Sequence, residues 1–379
     1  MKKKVLFVAH MDSHIANFHL PYLKWFQENG YETHVASNNL EKTKDILYCD
    51  YKHQINFNRS PFSLSNIKVY KEFKKLIKEH DFSLVHAHTP MGGIISRLAF
   101  RKSKTPIIYT AHGFHFLKGG SKLSWLLFYP VEKFLSRYTD LLITINEEDY
   151  RLAKSKFSKK CKIILVNGVG VDLTEYKKLS NDKLVSVRNS LGLKESDFVL
   201  VYVAEPTTGK NQGFLINAVN KLKDKYPNLK LLLIGYGKEE ETYKKMINDL
   251  LLNGFILQLG YRRDIIELTN IADLVVSSSL REGLPRALLE ALSIGKPLLV
   301  SDVRGNRDVV NNGENGYLYP KNDFSKFEEL FEKLYFDKDL RDRFIEASSE
   351  LSKKFDLNVV LDQVSKEYVN FLKDGVKNE

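Results

Sequence analysis

The segment LVVSSSLREGLPRALLEALSIGKPLLVSD, residues 274–302, contains a complete strand, turn, helix and second strand. Its first apolar run ends in the three serines 277–279, and a turn with Gly283 and Pro285 precedes a helical pattern. A second apolar run, 297–303, follows the helix. Nearly continuous apolar strands that alternate with helices are typical of parallel sheets covered on both faces. The segment therefore predicts an α/β fold.

The same alternation extends through both halves of the chain, and 379 residues suit two α/β domains rather than one. We therefore expect two Rossmann-like, doubly wound domains with an interdomain cleft. In the first half the predicted strands are 5–10, 33–37, 84–88, 107–112, 141–146 and 163–168. In the second half they are 198–205, 229–237, 255–260, 274–279 and 297–303.

The domain boundary is predicted where the strand pattern stops and polar residues take over, around 174–183. This gives an N-terminal domain of residues 1–175, a C-terminal domain of residues 176–355, and a last amphipathic helix in 356–379. We expect that helix to pack back across the hinge. Its apolar positions at helical spacing are Val359, Leu361, Val364, Tyr368 and Leu372.

The excess of positive charge lies entirely in the first half. Residues 1–180 carry 29 basic against 16 acidic side chains, whereas residues 181–379 carry 29 against 31. Such asymmetry indicates an anionic partner, although a solvated lysine-rich surface gives the same count. Cys49 and Cys161 have no metal-ligand spacing, and no apolar run is long enough to span a bilayer, so we expect a cytoplasmic protein.

Two glutamates in the opening segment are candidates for binding a ligand. Glu282 and Glu290 are eight residues apart, about two helical turns, so both can face one ligand from the start of the helix. The free amides of Gly283 and Leu284 can donate to a diphosphate. The alternatives are a capping role for Glu282 and a solvated position for Glu290.

A second motif, FVLVYVAEPTTGKNQGFLINAV, residues 198–219, brings Lys210 to the predicted start of a helix, where a cation and free amides suit phosphate. The alternative is a surface lysine. Gly235, directly after the apolar run LKLLLI of the next strand, and Arg262, in the loop after the strand 255–260, are predicted to shape a nucleotide pocket. No strand is followed by G-x-G-x-x-G, which argues against a nicotinamide-dependent oxidoreductase.

Seven of the ten histidines cluster at three predicted strand ends. His86 and His88 alternate on a strand and point to one face, a spacing that zinc could use, but no cysteine or carboxylate lies close in sequence. Burial as hydrogen-bonded core residues is the alternative for that pair. The other members are His10, His14, His19, His112 and His115.

The segment 274–318 resembles the signature of glycosyltransferase family 4, which comprises retaining enzymes with the GT-B fold. The similarity extends over essentially the whole chain, and the N-terminal segments resemble a bacterial subgroup that builds capsular, exopolysaccharide or O-antigen-type glycans. The matching features are the Glu282-x7-Glu290 pair, Ala272-Asp273 before the serines, the Gly295-Lys296-Pro297 turn, Ser301-Asp302, Asn315-Gly316-Tyr317, VHAHTP and YTAHGFHF.

By this resemblance Glu282 contacts the donor sugar, Glu290 the ribose, and the turn at Gly283 and Leu284 the diphosphate. Lys210 is likewise assigned to the diphosphate. The residue matching His112 lies beside the donor sugar in a site without metal or other cofactor.

Two positions depart from the family pattern. Many members carry an arginine where this chain has Glu205, which could instead orient Lys210 or meet an acceptor hydroxyl. Members often have a Gly-Gly loop after the first strand, whereas this chain has HMDSHIAN, residues 10–17. Asp12, His14 and Asn17 are therefore candidates to replace that loop.

The resulting hypothesis is transfer of a hexose or N-acetylhexosamine from a nucleotide diphosphate sugar, UDP-linked by resemblance, with retention of configuration. The acceptor is a glycan on a polyprenyl diphosphate or another glycan, in surface polysaccharide biosynthesis. The N-terminal domain is expected on the acceptor side. A nucleotide-sugar epimerase of the same architecture and a non-catalytic partner in glycan assembly are the alternatives.

Two segments of the basic half predict peripheral binding to an anionic membrane rather than to nucleic acid. In 60–80 a helix is expected with one apolar side and five lysines largely around the other, and 119–138 mixes apolar and basic residues. A core-facing helix with a solvated lysine side is the alternative for the first segment. Its predicted apolar side consists of Ile67, Tyr70, Phe73 and Ile77.

Overall fold

The computed structural model describes residues 2–39, 45–58, 60 and 63–374, and the chain divides into two compact units. The first unit comprises residues 1–170 and 358–379, and the second comprises residues 171–357. The division thus falls five residues before the position predicted from the sequence.

The first unit contains, in the part of the chain that the structure describes, a seven-stranded parallel sheet with the order β3-β2-β1-β4-β5-β6-β7. The strands are β1 (Lys4–Val8), β2 (Glu32–Ser37), β3 (Tyr51–Gln54), β4 (Phe82–His88), β5 (Ile107–Ala111), β6 (Leu141–Thr144) and β7 (Lys162–Leu165). The helices between them are α1 (Asp12–Phe18), α2 (Leu20–Glu28), α3 (Ser65–Glu79), α4 (Pro90–Phe100), α5 (Lys122–Leu135) and α6 (Glu147–Lys156).

The second unit, all of whose residues are described, contains a six-stranded parallel sheet with the order β10-β9-β8-β11-β12-β13. Its strands are β8 (Phe198–Val203), β9 (Leu229–Ile234), β10 (Ile256–Gly260), β11 (Leu274–Ser277), β12 (Leu298–Ser301) and β13 (Gly316–Tyr319). Its helices are α7 (Asn181–Ser190), α8 (Gln212–Leu222), α9 (Glu240–Asp249), α10 (Ile265–Asn270), α11 (Arg286–Ile294), α12 (Asn306–Val309), α13 (Phe324–Phe336) and α14 (Lys338–Ser352).

Both sheets share one strand order. Counted within its own unit, the second sheet runs 3-2-1-4-5-6, and the first runs the same way with a seventh strand added. This is the order of the Rossmann fold. Apolar residues bury both faces of each sheet, as in β1, where Val5, Leu6, Phe7 and Val8 are all fully buried. The predicted fold of two doubly wound domains is confirmed.

The last helix, α15 (Leu357–Asp374), belongs to the first unit from its second residue onward. Its buried positions repeat every four residues at Val360, Val364, Tyr368 and Leu372. The predicted face was wrong at its start, because Val359 is 51% exposed and Val360 is buried instead.

Two other local predictions need correction. Residues 12–18, predicted as part of a loop, form the short helix α1. In α3 the buried face is centred on Val69, Phe73 and Leu76, whereas Ile67, expected on that face, is 55% exposed. Residues 61 and 62 of that predicted segment lie outside the described residues. Among the helices described, none is both long and apolar enough to cross a bilayer.

Candidate functional site

In each sheet, polar side chains collect at the carboxyl ends of the first and fourth strands. In a doubly wound sheet the connections leave in opposite directions from the first and fourth strands, which opens a crevice at their carboxyl ends. In the first unit this place lies beyond β1 and β4, where His10 and His88 stand. In the second it lies beyond β8 and β11, where Lys210 and Glu282 stand.

The centre of the site in the second unit is an ion pair. Lys210 Nζ lies 2.5 Å from Glu282 Oε1, and the hydroxyl of Ser279 donates to the same oxygen at 2.6 Å. Lys210 lies two residues before α8, and Glu282 lies in the turn before α11. Residues 72 positions apart are thereby brought together with the lysine about one-third exposed.

The serines 277–279 fix the loop that carries Glu282. Ser279 Oγ lies 2.8 Å from the phenol of Tyr202, which donates to the carbonyl of Lys210 at 2.8 Å. Ser278 Oγ donates to Asn211 O at 2.7 Å. Hydrogen bonds therefore link the two loops beyond β8 and β11, which carry the ion pair.

Glu290 faces inward from the second turn of α11. Its carboxylate accepts from Arg286 Nε at 2.8 Å, and Tyr176 is hydrogen-bonded to it. Burial raises the pKa of Glu290 although Arg286 and Tyr176 both act to lower it. Glu290 is a buried, oriented acid and not the solvated helix residue that was the alternative. Neither partner was singled out from the sequence.

The turn at Glu282 and Gly283 is supported by a neighbouring loop that sequence reasoning missed. Arg304, which is buried, donates from Nε to the carbonyl of Glu282 at 3.0 Å. Gly305 has φ +82°, and a Cβ there would lie 2.6 Å from the Gly283 carbonyl oxygen. Only glycine allows this close approach.

The remaining predicted residues of the second unit take up different positions. Gly235 has φ +142°, and a Cβ would lie 2.2 Å from Ala204 O, so the crossing of two loops requires glycine. Arg262 is bound to Asp264 at 2.5 Å on its own turn. Glu205 is exposed, and the carboxylate that orients Lys210 is that of Glu282.

In the first unit the polar site opens into an apolar pocket of about 390 Å³. Imidazoles form part of its wall, and the rest comes from β5, from the loop after it, and from α4 and α5. The lining residues are His10, His14, Thr89, Pro90, Met91, Ile94, Tyr109, His112, Gly113, Phe114, His115, Phe116, Phe128, Val131 and Glu132. The volume is in the range of small-molecule sites.

A chain of imidazoles runs inward from this pocket. His14 Nε2 lies 3.3 Å from His112 Nε2, which lies 3.4 Å from His88 Nδ1. Burial lowers the pKa of His112 to about 4, and it lowers the pKa values of His14 and His88 well below 6.5, with neighbouring imidazoles adding to the effect. The chain is therefore neutral at pH 7, and each imidazole offers one donor and one acceptor nitrogen.

A group of four histidines in this region has the spacing of metal ligands. Its members, each with a ring nitrogen within 4.8 Å of the others, are His14, His19, His88 and His112. However, the rings of His19 and His88 stack face to face at 3.6 Å between centroids. An imidazole binds a metal through a lone pair in the ring plane, so two stacked rings are poorly aimed at one ion. Both ring nitrogens of His86 are hydrogen-bonded, Nδ1 with Tyr368 OH at 2.7 Å and Nε2 with Thr110 Oγ1 at 2.8 Å.

Of the three residues proposed to replace the Gly-Gly loop, only His14 lines the pocket. Asp12 is buried and is held by Ser37 Oγ at 2.5 Å and Lys52 Nζ at 2.9 Å. Asn17 is exposed near the end of α1.

Two family descriptions match the chain. "Glycosyl transferase 4-like" matches residues 4–146, and "Glycosyl transferases group 1" matches residues 186–351. Together they cover the strands and loops that carry both sites.

Individual relatives agree with these matches. The EpsD protein of Bacillus subtilis, whose name assigns it as a glycosyltransferase, is 43% identical over 338 residues, 88% of each chain. The UDP-Gal:alpha-D-GlcNAc-diphosphoundecaprenol alpha-1,3-galactosyltransferase of Escherichia coli is 28% identical over 323 residues, 82% of this chain and 83% of that protein. In fold, the chain is similar to Anabaena HepE in complex with UDP, with a TM-score of 0.80 at 19% identity over 97% of this chain and 100% of that one. The chain therefore belongs to the family 4-like glycosyltransferases with the GT-B fold, among relatives in bacterial capsular and exopolysaccharide biosynthesis.

Proposed function

We propose that the protein transfers a hexose or N-acetylhexosamine from a UDP-sugar to a glycan acceptor carried on a polyprenyl diphosphate, with retention of the anomeric configuration. The name of the Escherichia coli relative includes both a UDP-sugar and a diphosphoundecaprenol acceptor, and Anabaena HepE is similar in fold and binds UDP. These names support the proposed class of donor and acceptor.

The observation that carries the proposal is the ion pair of Lys210 and Glu282 at the carboxyl ends of β8 and β11. In transfer from a nucleotide sugar, negative charge grows on the leaving diphosphate while the sugar ring becomes electron-poor. An ammonium held beside the phosphate and a carboxylate held beside the ring stabilise those charges. Ser279 and Tyr202 hold the pair in position before the donor arrives.

The neighbouring groups complete the proposed donor site. The amides of Gly283 and Leu284 stand just before α11, where they can donate to the diphosphate. Glu290, oriented by Arg286 and Tyr176, accepts the ribose hydroxyls. Gly235 and Arg262 contribute to the nucleotide side, and His112 is proposed to act on the donor sugar, as the family resemblance implies.

We propose that this chemistry needs no metal or other cofactor, because Lys210 supplies the positive charge that a divalent ion would otherwise place on the diphosphate. Full turnover by the folded protein in excess chelator is expected. A strict requirement for added divalent metal would contradict this part of the proposal.

The pocket of the first unit is proposed to hold the acceptor. Apolar side chains such as Met91, Phe114 and Phe128 suit the hydrocarbon near a lipid diphosphate, and His14 and His112 can exchange hydrogen bonds with a sugar hydroxyl.

Helix α5 beside the pocket is proposed to rest on the membrane that carries the acceptor. It leaves apolar side chains exposed at helical spacing, including Leu123, Leu126 at 71% and Phe134 at 47%. Lys122 and Lys133 lie beside them. Apolar residues flanked by basic ones are typical of a helix at the interface of an anionic bilayer.

Flotation with liposomes tests this surface. Leu126→Ser with Phe134→Ser should abolish binding to vesicles that contain anionic lipid, whereas Leu251→Ser, at an exposed apolar position of the second unit, should leave it unchanged. The lysines of α3 should add about 1 kcal/mol each, so Lys71, Lys75 and Lys78 changed to Glu should weaken binding in a salt-dependent way. Lys74 is left intact because it donates to Ala99 O. Equal binding of all variants, or equal recovery with neutral vesicles, would contradict the proposal.

The reaction is tested by incubating the protein with a panel of nucleotide sugars, with and without a polyprenyl-diphosphate glycan. Release of free UDP only when the acceptor is present is expected, and NMR of the product should show the donor's anomeric configuration. Sugar isomerisation without nucleotide release would indicate an epimerase. No turnover and no shift of Tm with any nucleotide sugar would indicate a non-catalytic partner.

A further inference from the structure

The three histidines that the candidate site does not use come together at the β2–β3 edge of the first sheet. His34 lies in β2, His53 in β3 and His80 directly after α3. His34 is paired with Tyr51 across the two strands, so His53, two residues further on, points to the same face. One ring nitrogen of each histidine lies within 4.8 Å of the other two.

The hydrogen bonds fix the tautomers of this group. His34 Nε2 lies 2.8 Å from Glu32 Oε1, and because a carboxylate only accepts, the nitrogen must carry the proton. The lone pair of the neutral ring is then on Nδ1, which lies 2.8 Å from His53 Nε2. His80 Nδ1 is buried and has no hydrogen-bond partner among the described residues.

The surroundings keep His34 and His53 neutral. Burial lowers the pKa of His53 to about 4, with His34 and His80 adding to the effect, and burial also lowers the pKa of His34. Neutral imidazole is the form that binds metal. An imidazole that donates to a carboxylate from its other nitrogen is the usual arrangement behind a metal-binding histidine.

We propose that His34 Nδ1, His53 Nε2 and His80 Nδ1 bind one divalent transition-metal ion, for which Zn²⁺ is the test ion, with water as the fourth ligand. Glu32 is the positioning residue that holds the tautomer of His34. Binding moves the proton of His53 from Nε2 to Nδ1 and widens the 2.8 Å gap between His34 and His53 to about 3.3 Å, the spacing that tetrahedral Zn–N bonds require. A small shift of the edge strand β3 accommodates this.

The ion would join three elements of the first unit. β3 is an edge strand with largely exposed side chains, and it is hydrogen-bonded only to β2 in the sheet described. A metal shared by β2, β3 and the residue after α3 fastens this edge. The rings of Tyr51 and Phe82 pack on His34 and give the ligands an apolar surround. Because no lining residue of the apolar pocket comes from β2 or β3, the ion's role is structural and separate from the proposed transfer.

The test uses the full chain, stripped with chelator and titrated with Zn²⁺ alone in equilibrium dialysis, and with Co²⁺ alone by visible absorption. Wild type should bind one equivalent and gain Tm, and His53→Gln and His80→Gln should each weaken Zn²⁺ binding at least ~10-fold. Glu32→Gln should weaken it by about 10- to 100-fold, as loss of the carboxylate behind a metal-binding histidine does. Circular dichroism of the metal-free variants checks their fold.

His14→Gln is the matched control, because His14 belongs to the other group of histidines with suitable spacing. It should retain Zn²⁺ binding and a tetrahedral Co²⁺ spectrum. Absence of Zn²⁺ binding by wild type at micromolar concentrations would overturn the proposal. So would binding that survives the His53→Gln/His80→Gln double variant, or binding that only His14→Gln removes.

Discussion

The two units have the same strand order but carry different polar side chains at the same point of the sheet. All ten histidines lie in the first 115 residues, so the first unit has every imidazole and the second has none. Beyond β8 and β11 the second unit instead carries a lysine paired with a glutamate. Topology therefore supplies the place for a site in both units, and the side chains at the strand ends decide what each site does.

The difference also affects how each unit responds to its surroundings. The first unit keeps a chain of imidazoles neutral by burying it, whereas the second keeps two full charges paired. We therefore expect folding of the first unit to be sensitive to mild acid, and we expect the proposed transfer to depend on both charges of the ion pair. The predictions below follow from this contrast.

The largest expected effect is acid destabilisation of the first unit. The pKa of His112 is lowered to about 4 and that of His86 to about 3, mainly by burial. Each of these imidazoles binds fewer protons in the folded state than in the unfolded state. The free energy of unfolding is therefore unaffected by them above about pH 6.5, and it decreases as the pH falls from 6.5 toward 4. At pH 5 each such imidazole should lower the free energy of unfolding by up to about 2 kcal/mol.

Trp25 and Trp125 are the only tryptophans and both lie in the first unit, so urea unfolding followed by tryptophan fluorescence reports on that unit. In the presence of chelator, the urea concentration at the midpoint of unfolding should decrease when the pH is lowered from 7 to 5. Hydrogen exchange of the β8 and β11 peptides should change much less. His112→Gln should reduce the pH effect. An equal change in both units would show that the histidines are not its cause.

The next effect is on turnover. Glu282→Gln and Lys210→Ala should each reduce it at least ~100-fold, about 2.7 kcal/mol, because both groups act where charge develops. Glu241→Gln and Lys244→Ala, at exposed positions of α9, are the matched controls and should stay near wild type. Steady-state kinetics measures the turnover of each variant, and circular dichroism checks that each variant is folded. Near wild-type turnover in the Glu282 and Lys210 variants would contradict the proposed role of the ion pair in transfer.

The sequence predicted eleven of the thirteen strands that the structure describes and missed two short strands at sheet edges. β3 has the sequence YKHQ at one edge of its sheet, and β13 has GYLY at one edge of the other. Edge strands are only partly covered, so they need no continuous apolar run, and four residues are too few to show a period. The face of α15 was misplaced by one residue because valines at 359 and 360 fit a helical repeat about equally well.

The site residues that could be predicted lie within short motifs, and those that were missed act from a distance in sequence. Tyr176 contacts Glu290 from the predicted linker, and Tyr202 reaches Ser279 across 77 positions. Arg304 supports the Glu282 turn from the loop after the next strand. Such contacts depend on how the loops fold together, which neither spacing nor periodicity encodes. The one available signal was that Tyr202 is a polar residue in an otherwise apolar strand.

A smaller effect is expected at the predicted ribose contact. Glu290→Gln keeps the shape but removes the charge, so affinity for the donor should fall about 5- to 10-fold, or about 1 to 1.4 kcal/mol, with little change in kcat. Tyr176→Phe removes only a hydrogen bond to that carboxylate and should have a weaker effect in the same direction. Calorimetry with UDP alone measures both. A decrease in kcat with unchanged UDP affinity would indicate that Glu290 contacts the reacting sugar and not the ribose.

The smallest effect concerns Glu205, which replaces the arginine common in the family. The side chain is exposed at the end of β8, in the loop that leads to Lys210, so we expect it to act on the proposed donor only through solvent. Glu205→Arg replaces a repulsive charge near the diphosphate by an attractive one, and exposed charges contribute at most about 1 kcal/mol. The donor KM should therefore fall about 2- to 5-fold, kcat should stay within about twofold, and added salt should remove the gain. Glu195→Arg, an exposed charge reversal before β8, is the control and should change neither constant. A higher acceptor KM with an unchanged donor KM would instead assign Glu205 to an acceptor hydroxyl, as the other interpretation of its sequence position holds.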